Sequence, residues 1–268
     1  MRRFFTLFLV VANLLAGQLL LAQNVEELWI ENGGRRIYGV LSHPSDTLQP
    51  SPIAIISHGF NGTHAHGRNY FETLNALGYQ CYTFDFPCGS TKSLSDNNTK
   101  NMSIFDEQHD LEAIVRFFKG RADVDSSNIV LIGESQGGLV SALAAGSIPN
   151  DISKLILIFP AFCIPDNWNA RYQSLEEIPE TTSVWGVPLG RRYFEEIHSL
   201  SPFDFIGKFG KPVLIIQGDA DKIVSLEDSR KALNIYKDAR LHVIKGAGHG
   251  FKGEELKESM SEIGDFLR

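Results

Sequence analysis

The chain has 268 residues, 43% hydrophobic and 21% charged, which suits one globular α/β domain and excludes a disordered chain. At that length a core can be buried without outside staples. A formal charge of −7 at pH 7 argues against nucleic acid or an anionic membrane surface as partner and leaves a neutral small molecule open.

Residues 1–23 differ from the rest: Arg2 and Arg3 precede apolar runs at 4–11 and 14–22, broken by Asn13 and Gln18. A positive start, an apolar stretch and a small residue near a cleavage point read as a secretory signal cut near Ala22 or Gln23. An exported protein with no stable membrane association is expected, with an uncleaved anchor as the alternative because the apolar stretch approaches a bilayer-spanning length. Of the three cysteines, Cys81 lies in a strand pattern and reads as a small core residue. Cys88 and Cys163 fall in loops expected at one edge of the sheet, and the distance between them decides whether they pair.

Residues 24–268 read as a single domain. Strands are predicted at 25–30 and 36–42, separated by the hairpin chemistry of Asn32-Gly33-Gly34. A buried strand at 53–57 ends in His58-Gly59-Phe60, and a helix is predicted over 68–77, stopping at Gly78. A strand at 80–84 follows, then a segment at 103–119 whose apolar residues sit at 104, 105, 111, 114, 115, 117 and 118, a helix buried on one face. The strand at 129–132 runs into Gly133-Glu134-Ser135-Gln136-Gly137, and a helix of small residues continues from there before a strand at 155–159. Alternation then lapses over 160–206, where Trp168, Tyr172, Trp185, Tyr193, Phe194 and Phe203 stand among prolines and glycines. So long an insertion with that aromatic content reads as a packed lid. Strands at 213–217 and 240–244 and helices at 226–236 and from 254 complete the chain. The order implies a mostly parallel eight-stranded sheet covered by helices on both faces, with the first two strands antiparallel at one edge and the lid inserted after the sixth.

The strand–Gly-x-Ser-x-Gly–helix passage makes Ser135 the candidate nucleophile, since a sharp turn there holds Oγ out at the carboxyl end of the sheet. A serine needs a base and a carboxylate to orient that base. His249, in the glycine-flanked loop after the last strand, is the candidate base. The carboxylate is expected after the strand at 213–217, where Asp221 stands at the loop apex and Asp219 reads as a turn cap. The order Ser135, Asp221, His249 is that of α/β-hydrolases, whose oxyanion hole would here use the N–H groups of Gln136 and Phe60. His58, His64 and His66 raise a metal reading, but no full ligand set is apparent, so neither metal nor cofactor is expected and His58 is assigned to bracing the oxyanion loop.

His58-Gly59-Phe60, Gly133-Glu134-Ser135-Gln136-Gly137-Gly138, Asp219-Ala220-Asp221-Lys222-Ile223-Val224 and Gly246-Ala247-Gly248-His249-Gly250-Phe251 together resemble the cinnamoyl (feruloyl) esterase branch of the α/β-hydrolases. The resemblance implies an α/β-hydrolase fold and a serine carboxylesterase acting on hydroxycinnamoyl esters of plant cell-wall sugars. It also implies that lid aromatics, with Trp168, Tyr172 and Trp185 as candidates, form the pocket for a phenolic acyl group. The chain departs from that branch in Pro87-Cys88-Gly89-Ser90-Thr91-Lys92-Ser93, where Gly-His-Gly-x-Ser is usual, and in Glu134, where histidine is common. Rival readings are an acetyl or short-acyl esterase, a peptidase related to prolyl oligopeptidase, and a non-catalytic ligand-binding hydrolase fold.

Overall fold

Gly33 and Gly34 both take positive φ, 58° and 86°, and this turn closes a hairpin between β1 (Val25–Asn32) and β2 (Arg35–Ser42). The computed structural model describes residues 25–45 and 50–268, so the expected secretory signal lies outside the described residues. After β2 come β3 (Ser51–Ser57), β4 (Gln80–Phe84), β5 (Val124–Glu134) and β6 (Lys154–Ile158). A lid hairpin of β7 (Thr181–Val184) and β8 (Val187–Gly190) precedes β9 (Val213–Gly218) and β10 (Ala239–Ile244).

Eight strands form one sheet in the order β1-β2-β4-β3-β5-β6-β9-β10. Pairing is antiparallel in β1–β2 and β2–β4 and parallel from β4 onward. The expected eight strands, the mostly parallel pairing and the antiparallel first pair at one edge are all present; the place of β4 between β2 and β3 comes from the structure. Strand β5 is longer than its apolar run because Val124 already pairs with Ser51 across a register shift, so its polar and largely exposed start, Asp125-Ser126-Ser127, is part of the strand.

The central strands carry apolar side chains on both faces, and a separate core lies against each. On one face Ile55, Leu131, Leu157 and Ile215 meet α3 (Ile104–Lys119) and α4 (Gln136–Ser147). On the other, Ile56, Val130, Ile158 and Ile216 meet α2 (Phe71–Ala76) and α9 (Glu254–Leu267). Helix α3 begins where Ser103 Oγ accepts the Asp106 N–H at 3.1 Å. Its buried face carries Glu107 and Asp110 as well as Ile104, Leu111, Ile114, Val115 and Phe118, while Phe117 turns toward solvent. Helix α4 is buried nearly all round, and its small residues make that packing possible. Gly146, for example, meets the Phe205 ring, where a Cβ would lie 2.8 Å from Cε1.

The single helix expected over 68–77 is instead α1 (His64–Gly67), a 3₁₀ turn at Arg68–Tyr70, and α2. Gly67 lies so close to Thr83 that a Cβ would stand 2.1 Å from its Oγ1, and that hydroxyl donates to His64 O at 2.9 Å. This contact with β4 starts the segment earlier and breaks its regularity.

The insertion after β6 holds α5 (Ile164–Arg171), the β7–β8 hairpin, α6 (Arg191–His198) and α7 (Pro202–Phe205). Helix α6 is tied to α3 by Arg192–Asp106 contacts at 2.8 and 2.9 Å and by a Ser103–Glu196 hydrogen bond. Helix α8 (Leu226–Ile235) lies between β9 and β10 in sequence. Among the described residues no helix is long and apolar enough to cross a membrane.

Candidate active site

Ser135 has φ 52° and ψ −117°, a conformation of order 1–3 kcal/mol above the allowed wells, held by its surroundings. Its N–H donates to Ile158 O at 3.0 Å, and its carbonyl accepts from Gly138 and Ala161 N–H at 2.9 Å each. The turn is tight enough that a Cβ on Gly133 would lie 2.3 Å from Gly137 O, and one on Gly137 would lie 2.4 Å from both Ser57 O and His58 O. These glycines are therefore steric necessities of the serine's placement.

His249 reaches Ser135 from the loop between β10 and α9. Its Nε2 lies 3.0 Å from Ser135 Oγ and its Nδ1 2.8 Å from Asp221 Oδ2. With the proton on Nδ1 donated to the carboxylate, Nε2 presents its lone pair to the serine hydroxyl. The ring also packs on Phe159, centroids 4.6 Å apart. Asp221 Oδ1 accepts the N–H groups of Ile223 at 2.8 Å and Val224 at 3.0 Å, and Gln217 Nε2 donates to Oδ2 at 3.1 Å. Burial alone would raise this carboxyl's pKa, but the Val224 N–H, His249 and the Ile223 N–H outweigh it and hold the group below its ordinary value. Asp219, the other aspartate, accepts the Gly246 N–H at 2.5 Å and ties the two loops together.

The loop after β3 runs beside Ser135: a Cβ on Gly59 would be 3.1 Å from Ser135 Cβ. Among the described residues the Phe60 and Gln136 N–H groups donate to no protein acceptor. His58 braces this loop, with Nδ1 donating to Gly59 O at 2.7 Å and Nε2 accepting the Phe86 N–H at 3.1 Å. Burial pushes its pKa down to about 4, so the ring is neutral. The three histidines weighed as a metal group go to separate tasks. His64 contacts Asp85 at 2.8 Å and His66 stands at a cavity rim. Among the described residues no group of three or more His, Cys, Asp or Glu could hold a metal ion.

A cavity of about 530 Å³ opens beside Ser135 and Gln136 under the lid. Trp168, Trp185, Tyr193, Leu189 and Ile164 give it an aromatic and apolar wall, while Asn167, Arg171 and Lys222 add polar groups. Tyr172, expected on that wall, is not there. It stacks behind Trp168 at 6.2 Å, and its hydroxyl bonds Thr182 Oγ1 at 3.0 Å, so it supports the wall from outside. Cys163 lines the cavity, and burial pushes its thiol up to about 11. Cys88 is buried elsewhere, and all three cysteines are unpaired.

Two features escaped the sequence reading. Gln136 carries its side chain inward, Nε2 donating to Glu107 at 2.9 Å and Oε1 accepting from the Tyr193 hydroxyl at 3.1 Å. Burial pushes the Glu107 carboxyl up to about 8 against the pull of that amide. One polar chain thus joins α3, the start of α4 and the lid. The unusual loop 87–93 borders neither cavity at the serine. It holds the loop after β3 instead: Asn61 N–H donates to Gly89 O at 3.2 Å, and Asn61 Oδ1 accepts the Thr91 N–H at 2.9 Å.

The alpha/beta hydrolase fold family matches residues 52–182, a span that contains Ser135 but neither Asp221 nor His249. Mouse monoacylglycerol lipase ABHD6 is 26% identical over 174 residues, 63% of this chain and 48% of that protein, so the chain spans about half the length of this curated relative. Among solved structures, Est1E from Butyrivibrio proteoclasticus with ferulic acid bound superimposes with a TM-score of 0.82 at 28% identity, covering 90% of this chain and 97% of that one. The Pyrococcus furiosus esterase Pf2001, at TM-score 0.67 and 22% identity over 91% of each chain, shares the fold. The sheet order, the strained serine between β5 and α4 and these likenesses agree: the chain has the α/β-hydrolase fold and resembles the cinnamoyl (feruloyl) esterase branch.

Proposed function

We propose that this chain is an exported serine carboxylesterase that hydrolyses hydroxycinnamoyl esters of plant cell-wall sugars. The observation that carries the reaction type is the contact series Ser135–His249–Asp221, at 3.0 and 2.8 Å, at the mouth of an aromatic-walled cavity. In acylation, Ser135 Oγ attacks the ester carbonyl and its proton passes to His249 Nε2. The carbonyl π electrons move to oxygen, where the Phe60 and Gln136 N–H groups meet the charge. Collapse breaks the carbon–alcohol bond as His249 returns the proton to the departing oxygen. Water then attacks the acyl-enzyme, giving its proton to His249, and the Oγ–carbon bond breaks as Ser135 recovers that proton. Asp221 keeps its negative charge throughout and steadies the imidazolium.

The hydroxycinnamoyl assignment rests on the aromatic wall of Trp168, Trp185 and Tyr193 and on the likeness to Est1E with its ferulic acid. Export rests on the residue pattern at 2–22. Turnover of a panel of methyl hydroxycinnamates by wild type and Ser135→Ala tests the reaction, with a loss of roughly a millionfold expected in the variant. Turnover persisting in Ser135→Ala would remove the nucleophile assignment. A second reading, an aliphatic acyl group, is favoured by Ile164, Val184 and Leu189 on the same wall, and faster cleavage of acetate or monoacylglycerol than of ferulate would select it.

A further inference from the structure

Ser135 stands between two cavities. Phe60, Trp185 and Ile223 border both, but Gln136 borders only the first, and His249 only the second, of about 480 Å³. That asymmetry orients an ester. The oxyanion points at the Gln136 and Phe60 N–H groups, and the leaving oxygen takes its proton from His249 Nε2, so the departing alcohol lies on the imidazole's side. The acyl group then extends under the lid and the alcohol enters the second cavity. This argument rests on the esterase reading above.

The second cavity is unlike the first. Its floor carries Glu134, directly before the nucleophile, with one carboxylate oxygen accepting the Tyr70 hydroxyl and the other accepting nothing among the described residues. Burial raises this carboxyl's pKa in spite of the Tyr70 hydroxyl and the nearby imidazoles of His66 and His249, which marks the cost of taking its charge out of water. At the rim, His66, Asn69 and Lys252 are exposed, and among the described residues their side chains make no hydrogen bond or ion pair within the protein, although the His66 imidazole lies near enough to act on the Glu134 carboxyl. Phe251 and Trp185 supply ring faces. An apolar alcohol would strip water from Glu134 and return nothing, and an anionic one would meet its charge. A polyhydroxylated alcohol donates to Glu134, accepts from Asn69 and Lys252, and lays its C–H surface on the rings.

We infer that the cavity bordered by Glu134, His66, Asn69 and Lys252 is a binding site for a polyhydroxylated leaving alcohol, with Glu134 the residue that selects it. Glu134 neither gives nor takes a proton in the reaction. The position held by histidine in the resembled branch becomes a hydrogen-bond acceptor for the alcohol.

The test measures kcat/KM of the full chain on methyl, glyceryl and arabinosyl esters of ferulic acid. The hydroxylated esters are expected to exceed the methyl ester roughly tenfold or more, the return on one or two hydrogen bonds to a charged group. Glu134→Leu removes most of that preference, Glu134→Gln retains part because its amide oxygen still accepts, and Asn69→Leu at the exposed rim reduces it several-fold. Glycerol exceeding arabinose identifies a glyceride as the source of the hydroxyls, and the reverse identifies a sugar. Equal kcat/KM on all three esters in wild type, or a preference unchanged in Glu134→Leu and Asn69→Leu, overturns the inference and leaves the esterase reading standing. No turnover of any of the esters removes the hydroxycinnamate reading and this site with it.

Discussion

Asp219 and Asp221 stand two positions apart in one loop, and their surroundings give them separate work. Asp221 holds His249 through Oδ2 while two backbone N–H groups fix Oδ1, so its carboxylate can neither rotate away nor protonate readily. Asp219 spends its carboxylate on Gly246 N–H, 27 residues on, which fastens the loop that carries His249. Asp221→Asn keeps the shape but favours the wrong imidazole tautomer, and kcat on a methyl hydroxycinnamate should fall about ten-thousandfold. Asp219→Asn should retain most of kcat and cost about 1 kcal/mol of stability, read from the urea midpoint. Equal losses of kcat in the two variants would contradict the division of labour.

Elements meet at the serine through close backbone approaches, and there side-chain chemistry has little freedom. Helix α4 starts so near the end of β3 that Gly137→Ala places a methyl group against two carbonyl oxygens that cannot yield cheaply. That variant should lose about 3 kcal/mol or more and most activity, seen as a drop in thermal midpoint alongside kcat. The lid hairpin behaves differently. Trp185 sits at its tip with φ 48°, three-quarters exposed, touching Phe60 at 5.6 Å and bordering both cavities. Trp185→Ala should raise KM for aromatic esters several-fold while stability changes by less than about 0.5 kcal/mol, because little apolar area leaves the core. A large fall in stability with KM unchanged would show that the tryptophan serves packing instead.

Stability as a function of pH integrates groups from several elements, and the buried acids of α3 set its alkaline side. Glu107, at about 8, and Asp110, raised by burial to about 6 in spite of Arg35, both keep protons in the folded state that the unfolded chain has already released. Stability therefore falls as pH rises from the ordinary carboxylate range to about 8, and the loss is complete above that. Asp221 and Asp123 act with the opposite sign. Their carboxyls are held below the ordinary range, so the stability they contribute is present above it and is lost as pH falls through their folded values. The maximum should lie at mildly acidic pH. Glu107→Gln should flatten the alkaline limb by an amount on the order of a few kcal/mol, measured by urea unfolding at pH 5 and pH 9. Parallel limbs in wild type and variant would rule out Glu107 as the source.

Periodicity and turn chemistry made the strands along the chain, the antiparallel first pair and the insertion point legible, because apolar runs and Asn-Gly-Gly or Gly-x-Ser-x-Gly turns are local properties of the chain, whereas the crossover that puts β4 between β2 and β3 is not local. The lid hairpin was not legible, since Trp185-Gly186 adopts a left-handed turn without the usual Asn-Gly or Asp-Gly signature. Nor was the broken helix before β4, whose interruption comes from Thr83, a residue on another element. Side-chain destinations were the least visible. Tyr172 and Trp168 look alike in sequence, yet one stacks behind the other; Glu107 stands in the first turn of α3, yet it is buried against the Gln136 side chain of α4. Residue types and their spacing specify which backbone forms and where it turns. Which side chain faces a cavity, and which carboxyl is denied water, depend on elements far along the chain closing around it, and no local pattern encodes that.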